Sequence, residues 1–497
     1  MTDLNKIQEF INRVKDEYIK DLSDIISIPS VESSQVGEKV FGENVAKALE
    51  TILDMGKKYG FICENIDYRC GKITLKTDNK RKEPYKEGFE NEVGIVGHID
   101  VVPAEASTWS CEPFALTLRD NLLIGRGTED DKGPLIAAIY AMRYIKEELK
   151  ISLPFDISII AGCNEETGMN DLPYYLKKYK APFFSITPDA NFPVCIGEKG
   201  ITTVYITIPD CLNRVKSFSG GTVKNAVAGN AVAILSEKTD LKPTERISVE
   251  ENVIKAEGIT AHAAIPESGV NAIGILADYL LKNVSLTEKE KKAFEFIKAS
   301  ASDYKGKTFG IDTEDEFSGY LTCVAGVAKT EGNSITQSYN IRLPVTKDWK
   351  TIFDKFEEFC QKNGYILKTA GASNPYYIPA DSKEIQTLLK SYRAVTNDNS
   401  VPYTIGGGTY AKIFPNTYVF GATQSAYSSL LGSGKGGAHE NDEYISVKEF
   451  EDCIKIFVHL FLSIAEVYWL LSNSNQLTFL NFSNFLYLVL FQKQKNK

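Results

Sequence analysis

The sequence predicts an α/β protein whose central mixed sheet, flanked by helices, is interrupted by an inserted α+β domain. Three observations lead there. Short apolar runs stop abruptly at acidic or imidazole side chains, as in EVGIVGHIDVVP, PFDISIIAGCNEETG and FFSITPDANFP. Between the first two, DDKGPLIAAIYAMRYIKEEL sets Leu135, Ile139, Met142 and Ile145 on one helical face, with Pro134 at an early helical position. Beyond Gly200 the texture changes to alternating segments such as TTVYITIP, and near Pro375 the first texture returns. Strand, helix, strand order gives the sheet, and the departure and return give the insertion.

Along the chain, residues up to about 60 read as helices, because Ile7, Phe10, Ile11 and Val14 recur at helical spacing. The polar stretch KTDNKRKEPYKEG separates them from the first buried strand. RISVEENVIKAEGITAHAA and CVAGVAKTEGNSITQSYNIRLPV read as antiparallel strands, and NAIGILADYLLKNV as a helix. SKEIQTLLKSYRAVT is a further helix, and YTIGGGTYAKIF a glycine-rich turn opening another. The expected division is a first domain over 1–198 and 376–470, an inserted domain over 199–375, and a tail over 471–497. His459, within IKIFVHLFLSIAEV, reads as a helix-packing residue. Leu477 to Phe491 is rich in Leu and Phe but broken by Asn481, Ser483 and Asn484. It falls short of the roughly 20 apolar residues of a spanning helix, so a docked or loosely ordered tail is expected and no membrane contact.

A chain of 497 residues exceeds one ordinary domain, and a 43% hydrophobic fraction is ample for a core. The net charge of -9 argues against nucleic acid, whose phosphates select basic faces. The amino-terminal stretch has no apolar signal core, and nine scattered Cys contain no CxxC pair. Both fit a reducing cytoplasm, with Cys163 a small buried hydrophobe.

In open α/β sheets, ligands gather beyond the carboxyl ends of the strands. There stand His98 and Asp100, then Glu165 and Glu166, then Asp189. Asp130 and Asp131 lie in the loop GRGTEDDKGP at a helix start, and His439 lies in GGAHENDEYI. Each has an ordinary reading alone: the Asp pair could cap a helix, and the Glu pair could be a solvated turn. Together they suit a pair of divalent ions. Carboxylates can bridge two ions, and imidazole selects zinc, manganese or cobalt over calcium.

The ordered motifs GHIDVVP, GRGTEDDKGP, NEETG, TPDANFPVCIGEKG, TAHAAIP, NIRLPV, GGGTYAK and AHENDEYI resemble the clan MH metallopeptidase family, the carnosinase, aminoacylase and desuccinylase type. TPDANFPVCIGEKG and GGGTYAK are most similar to its PepV-like dipeptidase branch. The resemblance implies a catalytic domain interrupted by a lid domain, a small peptide substrate, and a monomer. It implies that His98, Asp130 and Asp189 hold one ion and that Asp130, Glu166 and His439 hold the other, zinc first, with manganese and cobalt as alternatives. Asp100 would orient His98 by accepting its other ring N–H. Glu165 would be the general base toward a water acidified by the ions. His262, in the lid, would stabilise the developing oxyanion. Asn225 and Arg342, with Gly407, Gly408 and Thr409, would contact the substrate backbone and carboxylate.

Four features depart from the family's pattern. Asn164 replaces the usual Asp, Glu129 adds a charge beside Asp130, AVAGNAV lacks the usual Pro after Asn225, and the run before His439 is unusual. The resemblance implies metal-dependent dipeptide hydrolysis. Deacylation of N-acyl amino acids, and a non-catalytic metal- or peptide-binding protein on the same fold, are the alternatives.

Overall fold

The computed structural model describes residues 3–428, 430–432 and 434–472. They form two compact units, one of residues up to 196, 378–402 and from 409 onward, the other of 197–377 and 403–408.

Three helices open the first unit, Leu4–Arg13, Lys15–Ile26 and Glu43–Lys58, burying Ile7, Phe10, Ile11, Leu22, Leu49 and Ile52. The Asp3 side chain caps the first by accepting from the N–H groups of Asn5 and Lys6. The sheet runs in the spatial order Ile62–Ile66, Cys70–Leu75, Asp156–Gly162, Glu90–His98, Pro182–Thr187, Thr417–Val419, Cys195–Glu198. Its four middle strands are parallel, and antiparallel strands flank them on both sides. The parallel strands are buried on both faces, which is why they read as continuous apolar runs rather than alternation.

One feature of this order positions the site. The chain leaves strand 90–98 toward strand 156–162, but leaves strand 182–187 toward the opposite edge. The connections diverge between these two neighbours, and in open α/β sheets the strand ends at such a point are where ligands bind. His98 ends one of the two, and Asp189 follows the other by two residues. Helix Lys132–Arg143, wholly buried, packs against the long helix Val447–Ser472, which also covers helix Lys383–Thr396.

The second unit is an eight-stranded antiparallel sheet. Along strand Gly200–Ile208 burial alternates, and Val204, Ile206 and Ile208 join Phe218, Tyr339 and Ile341 in one core. Helices Ala272–Asn283, Glu288–Ala301 and Trp349–Asn363 close that face with Leu276, Leu280, Phe294, Ile297 and Phe356. A capping box between Thr287 and Glu290 starts the second of these helices.

Two local expectations need correction. Residues 403–408, expected with the first domain, cluster with the second unit. The reason is hydrogen bonding: the Lys199 N–H donates to the Ile405 carbonyl at 3.0 Å, Thr404 Oγ1 to Phe317 O at 3.0 Å, and Arg342 Nη1 to Gly406 O at 2.9 Å. The helix expected after GGGT is only one 3-10 turn, Tyr410–Lys412. Pro415 lacks the N–H a further turn needs and disfavours helical backbone at Phe414. The tail expected over 471–497 lies, beyond Ser472, outside the described residues. No helix among the described residues is long and apolar enough to cross a membrane. All nine cysteines are free thiols, and Cys163 is fully buried, its pKa pushed well up by that burial.

Candidate metal centre

The first candidate ligand group is built at these strand ends. His98 Nε2 lies 2.8 Å from Asp130 Oδ1 and 3.9 Å from Asp189 Oδ2. The second group shares Asp130: His439 Nε2 lies 3.1 Å from Asp130 Oδ2 and 2.9 Å from Glu166 Oε2. Within each triad the candidate ligand atoms lie within 4.8 Å of one another. Asp130 therefore turns one carboxylate oxygen to each group. Five candidates from widely separated parts of the sequence meet here.

The local backbone explains how each side chain arrives. Asp131 occupies the N-cap position of helix 132–143 but makes no capping bond. Its Oδ2 instead accepts the His98 main-chain N–H at 3.2 Å, tying the helix start to the strand end. A Cβ at Gly97 would come within 2.0 Å of that same oxygen, so the strand must be bare at this position. His439 has φ 63°, a left-handed conformation that costs a side-chain-bearing residue about 1–3 kcal/mol and clusters at functional sites.

Around the ligands lies a supporting layer. His98 Nδ1 is 2.9 Å from the Asp100 carbonyl oxygen and 3.5 Å from its carboxylate. The carbonyl can only accept, so Nδ1 carries the proton and Nε2 faces the ligand group. It is thus the main chain of Asp100, rather than the expected carboxylate, that takes the closer contact with the ring. The Asp100 carboxylate turns to the next loop, accepting the N–H of Glu165 at 3.2 Å and of Glu166 at 3.1 Å. Asp171 holds the same loop: its Oδ2 accepts from Cys163 N at 2.7 Å, Asn164 N at 3.0 Å and the Tyr410 hydroxyl. Asn164 Nδ2 donates to Glu32 at 3.0 Å, so this departure from the family's pattern is absorbed by local hydrogen bonding.

Burial and neighbouring charges shift the ionisable groups of the centre. Burial pulls against the imidazolium form of His98, yet Asp100, Asp130 and Asp189 hold its pKa well above the ordinary value. Hydrogen bonds to Asp130 and Glu166 raise His439 to about 11. Burial and the Asp130 charge raise Asp189 to about 7, and burial with the Asp189 charge pushes Glu165 well up. Burial opposes the ionised form of Asp130, but His439 and His98 draw its pKa below the usual range. Glu165 Oε1 is buried with no hydrogen-bond partner. Such an orphaned acceptor is costly unless something positive sits beside it. Imidazole and carboxylate donors with one shared carboxylate fit divalent ions, which would replace the protons on the imidazoles. The side chain of His439 is 56% exposed, against 6% for Glu166, so the centre opens to solvent on that side.

In the second unit other candidates come together. Asn225 and His262 lie on paired backbone, with an isolated bridge between Ala226 and His262 and the Ala263 N–H donating to the Asn225 carbonyl at 2.9 Å. Thr322 Oγ1 donates to the Ala263 carbonyl at 2.8 Å, and a Cβ at Gly406 would lie 2.7 Å from that of Ala264. Arg342, 5% exposed, donates from Nε to Asn340 Oδ1 at 3.0 Å and from Nη1 to Gly406 O. Among the described residues no carboxylate shifts it, and burial lowers its pKa to about 10. Gly407 and Gly408 are half-buried, and Thr409 Oγ1 accepts the Ala411 N–H at 3.2 Å. Glu443, absent from the expected site residues, is fully buried against the loop that carries Asp130. Asp171 and Tyr410 were likewise not anticipated; their side-chain to main-chain bonds leave no mark on spacing.

Comparison with known proteins shows the family. Residues 94–463 match the peptidase family M20/M25/M40. A Bacillus subtilis (strain 168) protein named "Putative dipeptidase YtjP" is 30% identical over 479 residues, covering 91% of this chain and 98% of that protein. A Staphylococcus aureus (strain USA300) protein named in the same way is 30% identical over 491 residues, covering 92% and 99%. In fold the chain is similar to human carnosine dipeptidase 1, with TM-score 0.59, 16% identity, and 94% and 99% of the two chains covered. It is also similar to the Saccharomyces cerevisiae di-peptidase Dug1p, with TM-score 0.58, 15% identity, and coverage of 93% and 99%. The chain belongs to the peptidase family M20/M25/M40 and is a hydrolase of peptide bonds.

Proposed function

We propose that the protein is a metal-dependent dipeptidase that hydrolyses the amide bond of dipeptides with two divalent ions, zinc first and manganese or cobalt as alternatives. The observation that supports this reading is the sharing of Asp130 between two candidate ligand groups, with the Glu165 carboxylate, its Oε1 buried, close enough to feel their charges. The dipeptidase names of two relatives matched over nearly their whole length favour the substrate class.

When bound, the ion pair supplies Lewis acidity toward a water and toward the scissile carbonyl. Glu165 takes the water's proton and returns it to the leaving nitrogen, so the C–N bond breaks after the C–O bond forms and two amino acids leave. A carboxyl whose pKa is held up by burial and neighbouring acids suits that exchange. His262 is assigned to the carbonyl oxygen as its charge develops. Arg342 is assigned to the free carboxylate of the substrate, whose two oxygens match its planar fork. Its burial without an acidic partner supports that role, because a buried guanidinium is costly until an anion pairs with it. Asn225, Gly408 and Thr409 are assigned to the peptide backbone.

The test is a panel of unmodified dipeptides, C-terminally amidated analogues and N-acetyl amino acids, each with and without chelator. The reading expects cleavage of the free dipeptides, abolished by chelation and restored by zinc. Preference for the N-acetyl compounds would move the assignment to deacylation. Amino acid release that survives metal removal would overturn it.

A further inference from the structure

Glu443, four residues beyond His439, is wholly buried, and its carboxylate stands at the centre of the loop that delivers Asp130. Oε1 accepts three main-chain N–H groups, from Gly127 at 3.0 Å, Glu129 at 2.9 Å and Asp130 at 3.1 Å. Oε2 accepts from Arg126 Nη1 at 2.5 Å. The backbones follow suit: the Gly125 N–H donates to the Glu443 carbonyl at 2.9 Å, and Arg126 Nη2 donates to the Glu440 carbonyl at 3.2 Å. Gly127 turns at φ 94°, a conformation reserved for glycine, and so directs successive N–H groups at one oxygen.

Each of these contacts joins residues 125–130 to residues 440–443, the two segments that present Asp130 and His439. Asp130 must offer Oδ1 near His98 and Oδ2 near His439 at once, so a small displacement of its main chain would spoil one group or the other. A carboxylate that fixes the Asp130 N–H fixes that main chain. Charge-assisted bonds to several donors are about twice as strong as neutral ones, and a buried one is costly to lose.

We propose that Glu443 is a positioning residue for the ion pair: by clamping the main chain of the shared ligand Asp130 to the segment bearing His439, it sets both ligand groups at once. The inference rests on the two-metal reading above. In Glu443→Gln the amide oxygen can still accept the three N–H groups, but its NH2 then faces the Arg126 guanidinium, donor against donor. The clamp is left loose without any change of volume.

The experiment is a titration of the metal-free full chain with Co2+, followed by visible absorption, alongside thermal melting of the same metal-free samples. The parent takes two equivalents. Glu443→Gln is expected to melt lower than the parent, because the buried Arg126 loses its anion, and, at temperatures where the melt shows it folded, to bind cobalt about ten-fold to a hundred-fold more weakly with an altered cobalt spectrum. Parent-like affinity and spectrum in the folded variant would overturn the proposal. Should the Gln variant not fold, Glu443→Asp keeps the charge but shortens its reach, and weaker cobalt binding is again expected. Parent-like affinity there overturns the proposal equally. A parent that takes fewer than two equivalents sinks the two-metal reading itself, a separate outcome.

Discussion

The main-chain N–H of Glu165 donates to Oδ1 of Asp100 at 3.2 Å, so the proposed base is set by a residue 65 positions earlier in the chain. Oδ2 of the same carboxylate takes the N–H of Glu166, a candidate ligand, and the Asp100 carbonyl stands against the ring of His98. One residue thus orients the base and a member of each ligand group. In Asp100→Asn one carboxylate oxygen becomes an NH2 facing an N–H donor. Its kcat should fall at least about 100-fold, the scale of misplacing reacting groups by an ångström. Steady-state kinetics on one dipeptide check this, and an unchanged kcat would show that the anchor is dispensable.

Glu165→Gln should separate chemistry from metal binding. The Glu165 carboxylate belongs to neither ligand group. Turnover should therefore fall by about 10²–10⁴ while metal content by atomic absorption stays at the parent level. Near-parent activity would remove Glu165 from the base role.

Arg342→Ala tests the carboxylate assignment. Loss of a charge-assisted contact, about 1.5–3 kcal/mol, corresponds to a rise in KM of roughly ten- to a hundred-fold for dipeptides with a free carboxylate. Amidated analogues should be nearly unaffected. An equal effect on both sets contradicts the role.

His459 offers a stability prediction away from the site. Burial, aided by the charge of Lys390, lowers its pKa from 6.5 to about 4. The folded chain holds a neutral ring where the unfolded chain binds a proton, so the stabilisation is full above pH 6.5 and is lost as pH falls from there toward 4. The melting temperature of the parent should drop more steeply across that window than that of His459→Phe. Parallel curves for the two proteins would refute the assignment.

Much of the centre was legible because the parallel strands are buried on both faces, so their ends show as sharp changes from apolar to polar residues. His98, Glu165, Glu166 and Asp189 follow such ends, Asp130 and His439 stand in glycine-flanked segments, and the motif resemblance divided the ligands between two ions. What the sequence could not disclose is long-range bonding to the main chain. Glu443 reaches Asp130 across 313 positions, and nothing in HENDEYI distinguishes it from a solvated acid. The capping alternative for the Asp pair fits the position of Asp131, while its carboxylate serves the His98 N–H. Strand Tyr403–Ile405 is three residues long, too short for alternation to reveal which unit holds it.

The central claim is tested most directly by counting metal in the purified parent and in Asp130→Ala. Two equivalents of divalent ion are expected in the parent and loss of both in the variant, because among the described residues Asp130 alone belongs to both candidate ligand groups. A parent that binds no more than one ion, or a variant that keeps two, would contradict it.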